Sequence, residues 1–208
     1  MKWYDLSETV LTHIHDCRDT TSLQALVFRV LFLQSCTSMS SVYSLLGVAV
    51  RCALRMGLHR NADHVSLSPI EREVRRRLFW AIRQLDIYVS ALQGLPILLC
   101  EQDIDQLMPT ETDDGNITTM GITPQQDGQA TAMQPFNAMT NLMEILSKVA
   151  RNVYPMPNTK DCIRPVQEGG CRVGYGELKL VEVELAKWQE ELPEAWKSGF
   201  DGPLEFVR

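Results

Sequence analysis

Apolar residues recur at three- and four-residue spacing over most of the chain, the period of helices laid on a core. Over residues 22–36, positions 23, 26, 27, 30, 31 and 33 make one such face; Asp19-Thr20-Thr21-Ser22 supplies the cap residues ahead of it, with Thr21 and Gln24 in capping-box spacing. Over 41–56, Leu45, Leu46, Ala49, Val50, Ala53 and Met56 fall in one arc, with Arg51 and Arg55 opposite. Gly57 is the expected left-handed stop. Leu58 then stands where a Schellman motif folds an apolar side chain back onto the last turn. After a polar turn, Ser68-Pro69-Ile70-Glu71 reads as N-cap, N1 proline and capping-box glutamate. The helix it opens, about 69–92, carries Ile70, Val74, Leu78, Ala81, Ile82, Leu85, Val89 and Leu92 on one face and Arg72, Arg76 and Arg83 opposite. From Phe79 onward Trp80, Ile87 and Ala91 add a second apolar face, so this half is expected to be buried on more than one side. Asp86 lies inside it and needs a partner, for which Arg83, Arg51 and Arg55 are within reach. Gly94-Leu95-Pro96 ends the helix, and Ile97–Leu99 forms a short apolar tuck.

The pattern then changes. Residues 101–134 are acidic and polar and read as a long surface loop or a partly disordered linker. Asp103, Asp105, Asp113 and Asp114 do not follow calcium-loop spacing and read as solvated acids. Helical period returns over 136–154, with Phe136, Met139, Leu142, Met143, Leu146 and Val149 on a core face, until Pro155-Met156-Pro157. A loop over 158–172 leads to a last helix over 175–192, whose stripe is Leu178, Val181, Leu185 and Trp188 and whose stop is Pro193. Residues 7–16 form a weaker helical pattern, and the closing Gly202–Arg208 starts an apolar segment that suggests a domain incomplete at its C-terminus. The expected fold is all-α: one multi-helix domain over 1–208, built around two central antiparallel helices at about 41–56 and 69–92.

Composition narrows the functional classes. The chain has 208 residues, 45% hydrophobic and 22% charged, enough to bury a sizeable core. Its net charge of −6 is uneven, about +3 over residues 1–100 and −9 over the remainder. That balance argues against the chain being a nucleic-acid-binding module by itself. No continuous apolar run of signal or membrane length appears, since Arg51 and Arg55 interrupt the longest candidate, so a soluble intracellular protein with no membrane partner is expected. The six cysteines, at 17, 36, 52, 100, 162 and 171, show no CxxC and read as reduced, mostly buried thiols.

Candidate chemistry is sparse. His13, His15 and Cys17 offer at most one i, i+4 pair, too few ligands for a zinc site. The glycines at 169, 170, 174 and 176 do not follow a strand as a phosphate loop does. No GxSxG, HExxH, Walker A or dinucleotide fingerprint occurs, so no catalytic residue, cofactor or metal is expected in the chain, nor an enzyme. His59 suits a polar cap on the preceding helix better than a general base. The arginines at 72, 75, 76 and 77 suit a solvated or ion-paired helix face better than a phosphate contact, because Phe79 and Trp80 turn inward instead of interleaving with them.

One resemblance is specific. Gly47–Arg60 (GVAVRCALRMGLHR), then Glu71–Trp80 (EREVRRRLFW), Asp86 and Gly94-Leu95-Pro96 follow in the order found in the middle regulatory domain of fungal zinc-cluster transcription factors, the xylanolytic-activator-like domain. Asp103-Ile104-Asp105, Pro109 and Trp188…Leu192-Pro193 extend the likeness. The signature positions are Arg51, Arg55, Gly57, Leu58, His59, Arg60, Glu71, Arg75, Arg76, Phe79, Trp80, Asp86, Gly94 and Pro96, and the resemblance implies a structural or regulatory role for them. It further implies a nuclear regulator of RNA polymerase II transcription whose zinc and DNA contact belong to an N-terminal cluster of six closely spaced cysteines. The scattered cysteines of this chain cannot form that cluster. A homodimer, the transcription machinery and a small-molecule effector are the partners such a domain would meet. The competing reading is a stand-alone helical scaffold or ligand-binding protein with no role on DNA.

Overall fold

The structure is a computed structural model that describes residues 17–36, 39–61, 66–125, 131–153 and 175–193. The expected helix over 7–16, the proline stop at 155–157, the loop over 158–172 and the closing residues lie outside the described residues. Among the described residues there are five α-helices: α1 (Thr20–Cys36), α2 (Met39–Arg55), α3 (Pro69–Gln93), α4 (Met133–Lys148) and α5 (Tyr175–Glu191). Two single 3₁₀ turns, Glu101–Asp103 and Asp114–Asn116, and a π-turn, Val149–Val153, complete them. Among the described residues there is no strand, only one isolated bridge between Ile117 and Ile122. The fold is all-α, as the periodicity predicts. The chain divides into two compact units, residues 1–137 and 138–208, with the boundary inside α4.

In the first unit α1 packs on α2, and α2 on α3. Hydrogen bonds at both ends establish that α2 and α3 run antiparallel. Near the start of α3, Arg75 Nη2 donates to the Met56 carbonyl at the end of α2 (2.6 Å); near its end, Gln93 Nε2 donates to the Met39 carbonyl at the start of α2 (3.2 Å). The core between them holds Leu23, Leu26, Val30, Val42, Leu46, Ala49, Val50, Ala53, Phe79, Ile82 and Val89. Ala49 and Ala53 are fully buried, consistent with the close approach their size allows. Beside Gly47 the neighbour is no helix: a Cβ there would stand 3.8 Å from Leu98 Cδ1 of the chain beyond α3.

Termini are set by local chemistry. Gly57 adopts φ 68°, its N–H bonds to Leu54 O (3.0 Å), and the Leu58 N–H reaches back to Ala53 O (3.0 Å). This is the Schellman arrangement read from the sequence, with Leu58 wholly buried. Gly94 (φ 64°) repeats it, since Leu95 N–H bonds to Ser90 O (2.9 Å). At the start of α3 the capping box is complete: Ser68 Oγ accepts from Glu71 N–H (3.3 Å), and Glu71 Oε2 accepts from Ser68 N–H (2.9 Å). At the start of α1 the cap is Asp19 and not Thr21: its carboxylate accepts from Ser22 N–H (2.8 Å) and Oγ (2.9 Å). Asp19 wins because a carboxylate takes both donors at once and complements the helix dipole.

Several expected core faces are narrower than the period suggests. Leu31, Ile70, Leu92 and Met139, all assigned inward, are 38–55% exposed. They sit where a helix runs past its neighbour, so period alone overstates burial. In the second unit Met143 and Ile145 are buried and Trp188 Nε1 donates to Ala138 O (2.8 Å), yet Leu178 and Leu185 of the α5 stripe stay 43% and 39% exposed.

The Ser68 cap has a testable consequence. The backbone and side-chain hydrogen bonds from Ser68 hold the Glu71 carboxyl below its usual value. A depressed carboxylate pKa contributes stability that is present above the unfolded pKa and lost as pH falls through the folded one. Ser68→Ala should therefore cost about 1 kcal/mol at neutral pH. Glu71→Gln should flatten the acid limb of the stability curve, read by urea unfolding between pH 3 and pH 7.

Candidate functional site

Several signature residues meet at one feature, and others, Arg51 and Arg55 among them, lie away from it. Beyond α3 the chain doubles back over the α2–α3 pair, and α3 holds this strap, residues 95–114, through a line of polar side chains. Arg83, placed by the helical period on the outer stripe, is wholly buried. Its Nη1 donates to the Leu99 carbonyl (2.7 Å). One turn on, the buried Asp86 carboxylate accepts from the Leu99 N–H (2.9 Å) and the Leu98 N–H (3.1 Å). One residue of the strap, Leu99, is thus gripped on both its donor and its acceptor. The sequence asks for an arginine beside Asp86; the partners the structure supplies include this backbone. Arg51 is exposed, and the Arg55 guanidinium donates to the Cys17 carbonyl. The clamp reverses the outer-stripe expectation for Arg83 because α3 is enclosed by core on one side and by the strap on the other.

The grip continues toward the N-terminus of α3. Trp80 Nε1 donates to the Leu107 carbonyl (2.8 Å), and its ring meets Phe79 edge-on with centroids 5.4 Å apart. Glu73, only 2% exposed, accepts from Thr110 N–H (2.9 Å) and Thr110 Oγ1 (3.1 Å). Arg77 Nε bonds to Glu73 Oε1 (3.0 Å), and the same guanidinium reaches Thr112 O (3.2 Å) and the Asp114 carboxylate. Arg76 lies 3.8 Å from Glu73 Oε2. Within the arginine cluster Arg76 and Arg77 are ion-paired and Arg77 is turned onto the strap. Asp103, Asp105, Asp113 and Asp114 are all exposed, and two of them meet arginines, Asp114 at Arg77 and Asp105 at Arg60.

The turn after α2 closes the site. The His59 carbonyl accepts the N–H groups of Asp105 and Gln106 (both 3.1 Å). Gln106, 7% exposed, sends its amide to Leu58 O (2.8 Å) and Arg60 O (2.9 Å). The side chain of His59 caps nothing: Nδ1 is buried without a hydrogen bond, and burial, then the Arg60 charge, push its pKa down. The helix end is capped by Arg75, one of the arginines assigned to an outer face. Pro96 contributes its carbonyl, which accepts from Tyr43 Oη and Ser90 Oγ, each at 3.3 Å. Sequence reasoning missed Glu73, Arg77 and Gln106 as strap partners. The i, i+4 spacing of Glu73 and Arg77 signalled their ion pair; nothing local signals Gln106.

The second unit contains a groove of about 260 Å³ between α4 and α5, lined in part by Lys148, Glu184, Lys187 and Trp188. Lys148 Nζ meets Glu184 Oε1 there at 2.8 Å. Among the described residues no three His, Cys, Asp or Glu side chains stand together as metal ligands, and no helix is long and apolar enough to cross a membrane.

An α-helical pair with a strap clamped over it by an internal polar network has the build of a regulatory or scaffolding domain. The comparisons make the class particular. The family model described as fungal specific transcription factor domain matches residues 7–192, and the chain belongs to that family. It is similar to "Activator of stress genes protein 1" of Candida albicans, 36% identical over 207 residues, covering 93% of this chain and 20% of the relative. "Activator of stress genes 1" of Saccharomyces cerevisiae is 33% identical, covering 91% of this chain and 19% of the relative. "Transcriptional activator protein acu-15" of Neurospora crassa is 28% identical, covering 96% and 20%. The chain spans about a fifth of the length of these relatives. No solved structure matches. This is the regulatory domain of a fungal transcription factor.

Asp86→Ala strands two strap N–H groups and the partners of a buried charge. It should destabilise the first unit by roughly 3–5 kcal/mol in chemical denaturation, with Asp86→Asn costing less because one acceptor survives. A loss below 1 kcal/mol would show that the strap is held by other contacts. Trp80→Ala should cost about 3–5 kcal/mol by loss of core volume and of the Leu107 bond.

Proposed function

We propose that the domain works within a nuclear, DNA-bound regulator of RNA polymerase II transcription, and that DNA and zinc are held by a cysteine cluster outside this chain. In that arrangement the chain catalyses no reaction. It presents surfaces to the transcription machinery or to a metabolite effector, and a homodimer is compatible with the same role. The observation that carries the reading is the family match over residues 7–192, together with relatives described as activators. The acidic net charge of −6 supports it, and so does the inward use of Glu73, Arg77, Arg83 and Asp86 as internal contacts.

The test has two arms. The isolated chain, titrated against DNA at physiological salt, should show no sequence-specific binding. Specific affinity in the nanomolar range, typical of complete DNA readers, would overturn the division of labour. Fused to a heterologous DNA-binding domain in a fungal reporter strain, the chain should change reporter output relative to that domain alone. Unchanged output across carbon and stress conditions would count against a regulatory role.

A further inference from the structure

Only two serines or threonines of the chain are followed by proline, at Ser68-Pro69 and Thr123-Pro124. The fold treats the two in opposite ways. Ser68 is committed to the start of α3: its Oγ accepts from Glu71 N–H (3.3 Å) and donates to Glu71 Oε2 (2.8 Å), and Pro69 is the first helical residue. Thr123 stands in irregular chain beyond the strap, and both it and Pro124 are exposed. Its backbone is nonetheless fixed. The Thr123 N–H bonds to Asn116 O (2.9 Å), and its carbonyl accepts from Thr112 Oγ1 (3.2 Å). Gln125 then fastens the loop: its Oε1 accepts from Asp113 N–H (3.2 Å) and Asn116 Nδ2 (2.8 Å), and its Nε2 donates to Asp113 Oδ2 (3.0 Å). A threonine side chain is thereby presented to solvent from a held, non-helical backbone, with proline next to it.

We propose that Thr123 is a phosphorylation site for a proline-directed serine/threonine kinase, and that the phosphate loosens the loop over residues 112–125. A kinase lays its substrate out in extended form, and the residue before a proline is already biased to that form. A groove selective for proline after the acceptor exploits its missing N–H, since any other residue there would bury an unpaired donor. Thr123 meets both requirements as it stands. Ser68 meets them only after the first turn of α3 unwinds and its capping box is lost. In the reaction Thr123 Oγ1 attacks the γ-phosphorus of Mg-bound ATP, the bond to the β–γ bridging oxygen breaks, ADP leaves, and the hydroxyl proton passes to the kinase's catalytic aspartate. The product adds nearly two negative charges to a stretch, residues 101–125, that contains Glu101, Asp103, Asp105, Glu111, Asp113 and Asp114 and no lysine or arginine. Asp113 is tied to the same small network through Gln125. The basic group that reaches this loop is Arg77, on Thr112 O and the Asp114 carboxylate, and it is already paired with Glu73. The new charge therefore meets like charge, and the Gln125 links are the contacts that yield.

Cleavage before aspartate separates the two sites: Thr123 falls in the peptide Asp114–Gln126 and Ser68 in Asp63–Leu85. The full chain is incubated with Mg-ATP and a proline-directed kinase, digested and mapped by fragmentation. Rates are referred to those of unfolded peptides spanning residues 61–76 and 116–131, which report each sequence without its fold. On that scale Asp114–Gln126 should gain one HPO3, on Thr123, at least about fivefold faster than Asp63–Leu85 gains one on Ser68, because Ser68 reacts only when its capped turn opens. Pro124→Ala should abolish the modification while leaving the hydroxyl in place. In the phosphorylated chain the Asp113 and Thr123 amides should exchange with solvent faster than in the unmodified one. Phosphate on Ser68 ahead of Thr123, on Thr118 or Thr119 instead, or on neither peptide would overturn the site. Undiminished labelling of Pro124→Ala would overturn the proline-directed recognition, and unchanged exchange at both amides would overturn the loosening. Mapping of the unsubstituted chain carries the test by itself even if the variant fails to fold.

Discussion

The domain depends on a single buried grip, Arg83 on the carbonyl and Asp86 on the N–H of Leu99. Both side chains are fully buried on α3. Such groups carry a large desolvation cost unless their hydrogen-bonding capacity is used. Here it is spent on backbone groups of a segment with no helix of its own. A strap of irregular structure also has peptide groups to satisfy, and no regular ladder satisfies them. The two requirements cancel: α3 can bury charge because the strap brings peptide dipoles, and the strap can lie on the core because α3 offers fixed charges. The geometry carries specificity as well as energy, since a slip of one residue along the strap would place a side chain where Leu99 N–H and C=O now stand.

The same logic repeats along α3. Glu73 takes Thr110, Arg77 takes Thr112 and Asp114, and Trp80 takes Leu107. These residues follow one another at three- to four-residue spacing, so they form a polar stripe on the face that the strap covers. Phe79, Ile82 and Val89 of the same helix join the core cluster that holds residues of α1 and α2. One helix thus serves two different interfaces, an apolar one toward its helical neighbours and a polar one toward irregular chain. The turn after α2 is drawn in by Gln106, which bridges two carbonyls that the Schellman end of the helix leaves without intrahelical partners.

Much of this was legible in the residues. The two glycine stops and the Ser68 capping box follow from local signals whose physics acts within one turn and stand where those signals put them, and the described helices lie within a few residues of their expected bounds. The two apolar faces of α3 were legible for the same reason. What escaped was every interaction set by long-range pairing. Arg83 reads as surface on a helical wheel because the wheel does not know that a strap lies over that side. His59 reads as a cap because it follows the helix end, yet Arg75, nineteen residues after Met56, fills that place. Residues 101–125 read as solvated because they are acidic. Their acids do face water, while their backbone is bound to α3.

These placements bear on how function can be read from such a chain. Glu71, Arg75, Arg76, Trp80, Asp86, Gly94 and Pro96 carry the family resemblance, and each is engaged in capping α2 or α3 or in holding the strap. A signature built from internal contacts identifies a scaffold, because its residue types answer to geometry inside the domain and not to a ligand outside it. The family model that matches residues 7–192 makes the corresponding assignment, to the fungal specific transcription factor domain. By the same argument, what differs among members of the family must be looked for off the signature, in groups that the internal network leaves available. The exposed face of α1 with Phe28 and the groove between α4 and α5 are two such places.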